Sequence, residues 1–172
     1  MIALTLAALL LTGPQSARPA APPQLAPEIQ EDLRLRARLG VHELASAWTI
    51  YVHSEAAHHL TEHYALVATR GADGRWTLIS IGEESSGLLQ VPTRALPEER
   101  RVLGAGDSQD LGRLLRWPAL YRQPNPRERE VGVGAAFHTM EIVTPRGHAV
   151  FRWAGRLRGW AGAVADMIMG RD

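Results

Sequence analysis

Apolar and polar positions along the chain fall into stretches of helical and of strand periodicity. Between residues 28 and 39, Ile29, Leu33 and Ala37 recur at the spacing of one helical face, and Asp32 stands four residues before Arg36 in the supportive orientation. This predicts a helix with that stripe turned to the core, stopped at Gly40, since glycine accepts the left-handed backbone that ends helices. Over residues 47–54, Trp48, Ile50 and Val52 alternate with Thr49, Tyr51 and His53, the two-residue period of a half-buried strand. Residues 59–70 alternate likewise, with Leu60, Tyr64, Leu66 and Ala68 on one face, and the short connection at 55–58 predicts an antiparallel hairpin. Gly71-Ala72-Asp73-Gly74 is a turn signal, and residues 76–81 supply a third strand, completing a meander.

Residues 83–106 lose periodicity and contain Gly87, Pro92 and Pro97, so a long connection with one helical turn near 98–102 is expected there. Asp107 is placed to cap a following helix whose stripe is Leu111, Leu114 and Leu115, and Pro118 ends it. A β-like run spans 131–143, with Gly132 and Gly134 marking a bulge or close backbone packing. Thr144-Pro145-Arg146-Gly147 reads as a turn into a strand at 149–153. A closing helix at 156–169 has the stripe Leu157, Trp160, Ala161, Val164 and Ile168. The order implies an α+β fold: an antiparallel sheet of about five strands, a three-strand meander plus a C-terminal hairpin, with helices on one face.

The first residues change the picture. Residues 2–11 are apolar and uncharged, shorter than the roughly 20 residues that span a bilayer but of the length of a signal-peptide core. The expected organisation is a signal peptide at 1–21, a Pro-rich linker at 22–27 and one domain at 28–172, in a secreted or periplasmic protein with no transmembrane span in the mature chain. All 19 basic residues are arginine; without residues 1–21, 18 remain against 18 acidic residues. That neutral balance argues against a nucleic-acid partner. The absence of cysteine excludes disulfides and thiol catalysis.

Candidate chemistry gathers in two places. His53, Glu55, His58, His59, Glu62 and His63 form the densest titratable cluster, and His59-Leu60-Thr61-Glu62-His63 spells H-x-x-E-H, the inverted zinc-protease string. That string binds metal only on a helix, where i and i+4 are neighbours, and the local pattern is that of a strand. A hairpin register pairing His53 with His59 would instead set two imidazoles on one face, with His58 or Glu55 completing a zinc site; the plain alternative is a solvated sheet face. The second place is the basic and aromatic C-terminal part, where Arg146, Arg152, Trp153 and Arg156 suit a partner protein or an anionic envelope component, against the plain reading of core tryptophans and wet arginines. Ser85 and Ser86 lack a nucleophile elbow, and Glu83 and Glu84 point to opposite sides of an extended chain and read as a hydrated strand end. No complete catalytic constellation can be assembled. The expected function is an exported binding or interaction module, with a metal-binding protein or metal-dependent hydrolase built on the His53 to His63 cluster as the alternative.

Overall fold

The computed structural model describes residues 27–41, 48–57, 61–86, 91–125 and 135–170; the expected signal peptide and most of the linker, His58, His59, Gly132 and Gly134 lie outside them. The described elements are α1 (Pro27–Arg38), β1 (Thr49–Ala57), β2 (Thr61–Arg70), β3 (Trp76–Ser86), β4 (Val91–Val102), α2 (Ala105–Leu114), a 3₁₀ turn (Leu120–Arg122), β5 (Phe137–Thr144), β6 (Gly147–Ala154) and α3 (Gly159–Met169). The strands form one six-stranded sheet in the order β4-β3-β2-β1-β5-β6, with every neighbouring pair antiparallel. The α+β class therefore holds, with six strands in place of five. Among the described residues no helix is long and apolar enough to cross a membrane.

The additional strand is β4, which occupies the stretch expected to be a connection. Its pairing with β3 slips twice: Ser80 and Gly82 oppose Glu99 and Leu96, and Glu84 and Ser86 oppose Arg94 and Val91. At each slip two residues of β4 face one of β3, and Pro97 and Pro92 sit in those bulges. Proline cannot donate to a ladder, so a bulge on an edge strand is where it fits.

One face of the sheet is dry. Ile50, Val52, Ala68, Leu78, Met140, Ile142 and Phe151 pack beneath α2 and α3, meeting Leu111, Leu115, Ala161, Val164 and Ile168. Ser108 ties α2 to this layer, accepting the Trp76 N–H and donating to the Leu103 carbonyl. Helix α2 begins two residues before Asp107, with Gly104 at its N-cap, so Asp107 sits in the first turn and supplies charge there and no cap. Gln123 does for α3 what no residue of its own does: its side-chain carbonyl accepts the Ala161 N–H at 3.0 Å and its amide donates to Arg158 at 2.8 Å.

The other face is covered by α1, so helices flank both sides of the sheet. Only Leu35 and Leu39 enter a small cluster with Tyr51, Ala65 and Ile81. The stripe expected to be buried points outward: Ile29 and Leu33 are each 50% exposed, and Ala37 is exposed too. Gly40 does end the helix, at φ 70°, with the Gly40 and Val41 N–H groups donating to Ala37 and Arg36.

Two helical glycines give opposite expectations. A Cβ at Gly112 in α2 meets nothing within 4 Å, whereas at Gly162 in α3 it falls 2.8 Å from the Leu157 carbonyl carbon. Gly112→Ala is expected to stabilise the protein by about 0.5–1 kcal/mol through helix propensity. Gly162→Ala is expected to destabilise it by about 1–3 kcal/mol through overpacking. Urea unfolding of the two variants checks both signs.

Candidate functional site

Beneath α1 the sheet is polar, and charge does what apolar burial does on the opposite face. Register places Glu55, His63 and Glu83 side by side on β1, β2 and β3, and His53 next to Ala65 one row away. Glu83, expected to be hydrated, is only 4% exposed; Arg34 and Arg38 both pair with it from α1. On the other flank Arg36 donates to Asp32 at 2.8 Å and to Glu141 at 3.1 Å, and its guanidinium lies 4.0 Å over the Tyr51 ring. The Tyr51 hydroxyl donates to Asp32 at 2.7 Å. Burial first, and then the Asp32 carboxylate, raise the Tyr51 phenol above its ordinary value. Every member of this network is matched to an opposite charge or a hydrogen bond, the condition under which buried charge is tolerated.

His53 borders that order, its Nδ1 lying 3.7 Å from Asp32 Oδ1. His53 pairs in register with Ala65 and not with His59, because β1 runs to Ala57 and β2 begins at Thr61. Its ring instead stacks on His63, the diagonal neighbour, at 6.1 Å and 8°. His53 Nε2 and His63 Nδ1 are buried without a hydrogen-bond partner among the described residues. Glu62 and His63 lie in a strand, so the H-x-x-E-H string has no helix there to gather its side chains. Among the described residues no three histidine, aspartate or glutamate side chains converge to hold a metal, and His58 and His59 lie outside them.

The C-terminal candidates do not form one patch. Arg152 and Trp153 are successive residues of β6 and point to opposite faces: Arg152 is exposed, while Trp153 is buried and its ring stacks on His138 at 4.9 Å. Arg146 is exposed in the β5–β6 turn, and Arg156 is exposed before α3.

A concavity lies elsewhere, a groove of about 730 Å³ between α2 and α3. Trp117 follows α2 where Pro118 forbids further helix, and Trp160 is the second residue of α3, whose start Gln123 anchors. Their rings meet at 5.3 Å and 33°, yet remain 52% and 40% exposed. Since Arg101 at the end of β4 donates to the Ile168 carbonyl at 2.6 Å, the C-terminus of α3 lies beside the N-terminus of α2, and the two helices run antiparallel. The groove therefore has an aromatic end and, at Asp107 and Asp166, an acidic end. Trp160 was legible as a helix residue but expected in the core; Trp117, Asp107 and Asp166 carried no site signal. The one available cue was the i, i+3, i+7 spacing of Asp107, Asp110 and Leu114, which share a helical face.

Comparison with known protein families, with curated proteins and with solved structures finds no match for this chain.

The stacked histidines carry a pH expectation. Burial is the main cause that lowers His53 from its ordinary 6.5; Asp32, Glu55 and Glu31 oppose it and His63 reinforces it. The unfolded chain takes up a proton at His53 as the pH falls through about 6.5, while the folded protein resists it, so this contribution to stability is complete above 6.5 and is lost on acidification. His53→Gln should show a shallower fall in unfolding free energy between pH 7 and 5 than the wild type, measured by urea titration at each pH.

Proposed function

We propose that this protein is an exported binding module that takes its ligand in the groove between α2 and α3. The observation that carries the reading is the Trp117–Trp160 pair. Two large indoles in mutual contact, each about half open to solvent at one end of a concavity, provide apolar contact area that folding has not used. A volume of about 730 Å³ falls within the range of small-molecule sites, and its lining sets Leu103, Leu114 and Met167 beside five charged side chains, more polar than most such sites. Both tryptophans are held by backbone features at helix ends, which favours a preformed platform: the Trp117 N–H donates to Leu114 and the Trp117 carbonyl accepts from Leu120. Export rests on the apolar run at 2–11 and the prolines that follow it.

Indole fluorescence and thermal shift, read across a panel of small cations, anions, sugars and short peptides, test the reading. Trp117→Ala and Trp160→Ala are each expected to weaken any hit by about tenfold or more, and to lower unfolding free energy by about 1–3 kcal/mol, since roughly half of each indole is covered. Hits indifferent to both substitutions, or turnover of a hydrolysable panel member, would overturn it. N-terminal sequencing of protein from its native host is expected to find a start between residues 18 and 28 outside the cytoplasm; an intact Met1 in the cytoplasmic fraction would contradict export.

A further inference from the structure

The charges lining the groove are unequal, and their arrangement limits what it can hold. Asp107, Asp110 and Asp166 face Arg101 and Arg113. Arg113 is paired with Asp110 one helical turn away, so these two cancel. Arg101 donates to the Ile168 carbonyl at 2.6 Å, satisfying the end of α3. Neither Asp107 nor Asp166 has an ion-pair partner among the described residues. Asp107 sits in the first turn of α2, where the helix dipole favours a carboxylate. Asp166 sits in the last turn of α3, where the dipole disfavours it, and α3 has no basic residue in that turn. With Arg101 included, the acidic end keeps an excess of one negative charge.

The aromatic end lies a fixed distance away. Asp166 stands six positions after Trp160 on α3, a rise of about 9 Å at 1.5 Å per residue. Indole faces attract cations as well as apolar groups, so neither end of the groove favours an anion.

We infer that the ligand of this groove is a small organic monocation with an apolar body, its ammonium or guanidinium group held between Asp107 and Asp166 and its body lying on Trp117 and Trp160. This inference rests on the groove being the binding site. Arg101 tunes the site: by occupying the Ile168 carbonyl it holds α3 in place and leaves the Asp166 carboxylate to the ligand. A neutral sugar would gain the aromatic contact but leave the charge excess unmatched, and an anion would add to it.

The test uses three probes that share a phenylalkyl body and differ in charge: 4-phenylbutylamine, 4-phenylbutan-1-ol and 5-phenylpentanoate. Each is titrated into the mature protein by calorimetry at pH 7 and at two salt concentrations. The amine is expected to bind at least about tenfold more tightly than the alcohol, and the carboxylate least tightly. The amine's advantage should shrink with added salt, and should disappear in the Asp107→Asn/Asp166→Asn double variant, whose affinities for the amine and the alcohol converge. Asp166→Asn alone should raise the melting temperature without ligand by about 1–3 °C, because it removes a carboxylate from a helix C-terminus. That readout establishes that the variant folds.

Equal binding of all three probes, or preference for the carboxylate, overturns the cation and leaves the groove reading standing, provided that Trp117→Ala weakens every probe alike. Binding that survives Trp117→Ala and Trp160→Ala, or no binding of any probe, overturns both. An arginine-containing tripeptide amide that binds more than tenfold tighter than the amine, with the same aspartate dependence, overturns the small molecule in favour of a basic segment of a partner protein.

Discussion

A broad antiparallel sheet has two faces to keep from water, and the described residues supply apolar helices for only one of them. The second face is closed by charge. Glu83 is buried under two arginines of α1, and Arg36 bridges Asp32 and Glu141 across the helix's other flank. The arrangement is asymmetric. Arg34 and Arg38 retain much of their exposure, whereas the Glu83 side chain retains 6%, so the guanidiniums could return to water at little cost and the carboxylate could not. Glu83 therefore dictates that α1 be docked, while Leu35 among Tyr51, Ala65 and Ile81 dictates where. Because polar anchors take the inward positions, Ile29, Leu33 and Ala37 are left on the outside, the reverse of an ordinary amphipathic helix.

This division explains which parts of the fold were legible from residues alone. The meander was visible because β1, β2 and β3 alternate cleanly and Gly71 to Gly74 closes a turn, with Gly74 at φ 81°. The second hairpin was visible in Thr144-Pro145-Arg146-Gly147, whose ends pair in register. Strand β4 was not, because two prolines and a run of charge mimic a loop; what admits them is an edge position with two bulges, a tertiary circumstance that periodicity does not encode. The phase of α1 was misread because three apolar residues outvote one leucine in any helical count, while the decisive contact is an ion pair with a residue about fifty positions away.

The sites followed the same logic. The histidine cluster was conspicuous by composition, but the register moved His53 away from His59 and onto His63. The basic and aromatic C-terminal part separated because neighbours in a strand face opposite ways, sending Trp153 inward. The groove was invisible because its parts lie on two helices far apart in the chain, brought together by Gln123 at one end and Arg101 at the other. Helix geometry could propose which residues share a face; only the antiparallel packing of α2 against α3 showed that those faces meet.

The strand order has a further consequence, for how the chain reaches this structure. Strands β1 to β4 pair as consecutive neighbours, and β5 and β6 form a hairpin, so both units can assemble from nearby residues. The ladder between β1 and β5 joins them, pairing Thr49 with Val143 and Ile50 with Ile142. It closes the longest loop in the sheet, so it carries the largest entropic cost and belongs late in folding. Until it forms, the meander presents β1 as a bare edge bearing Ile50, Tyr51 and Val52, with none of the prolines and bulges that blunt β4. The vulnerable species is thus a half-built sheet whose open side is the middle of the finished one, and any chain held in that state could be captured by a second copy supplying the strand that β5 should provide.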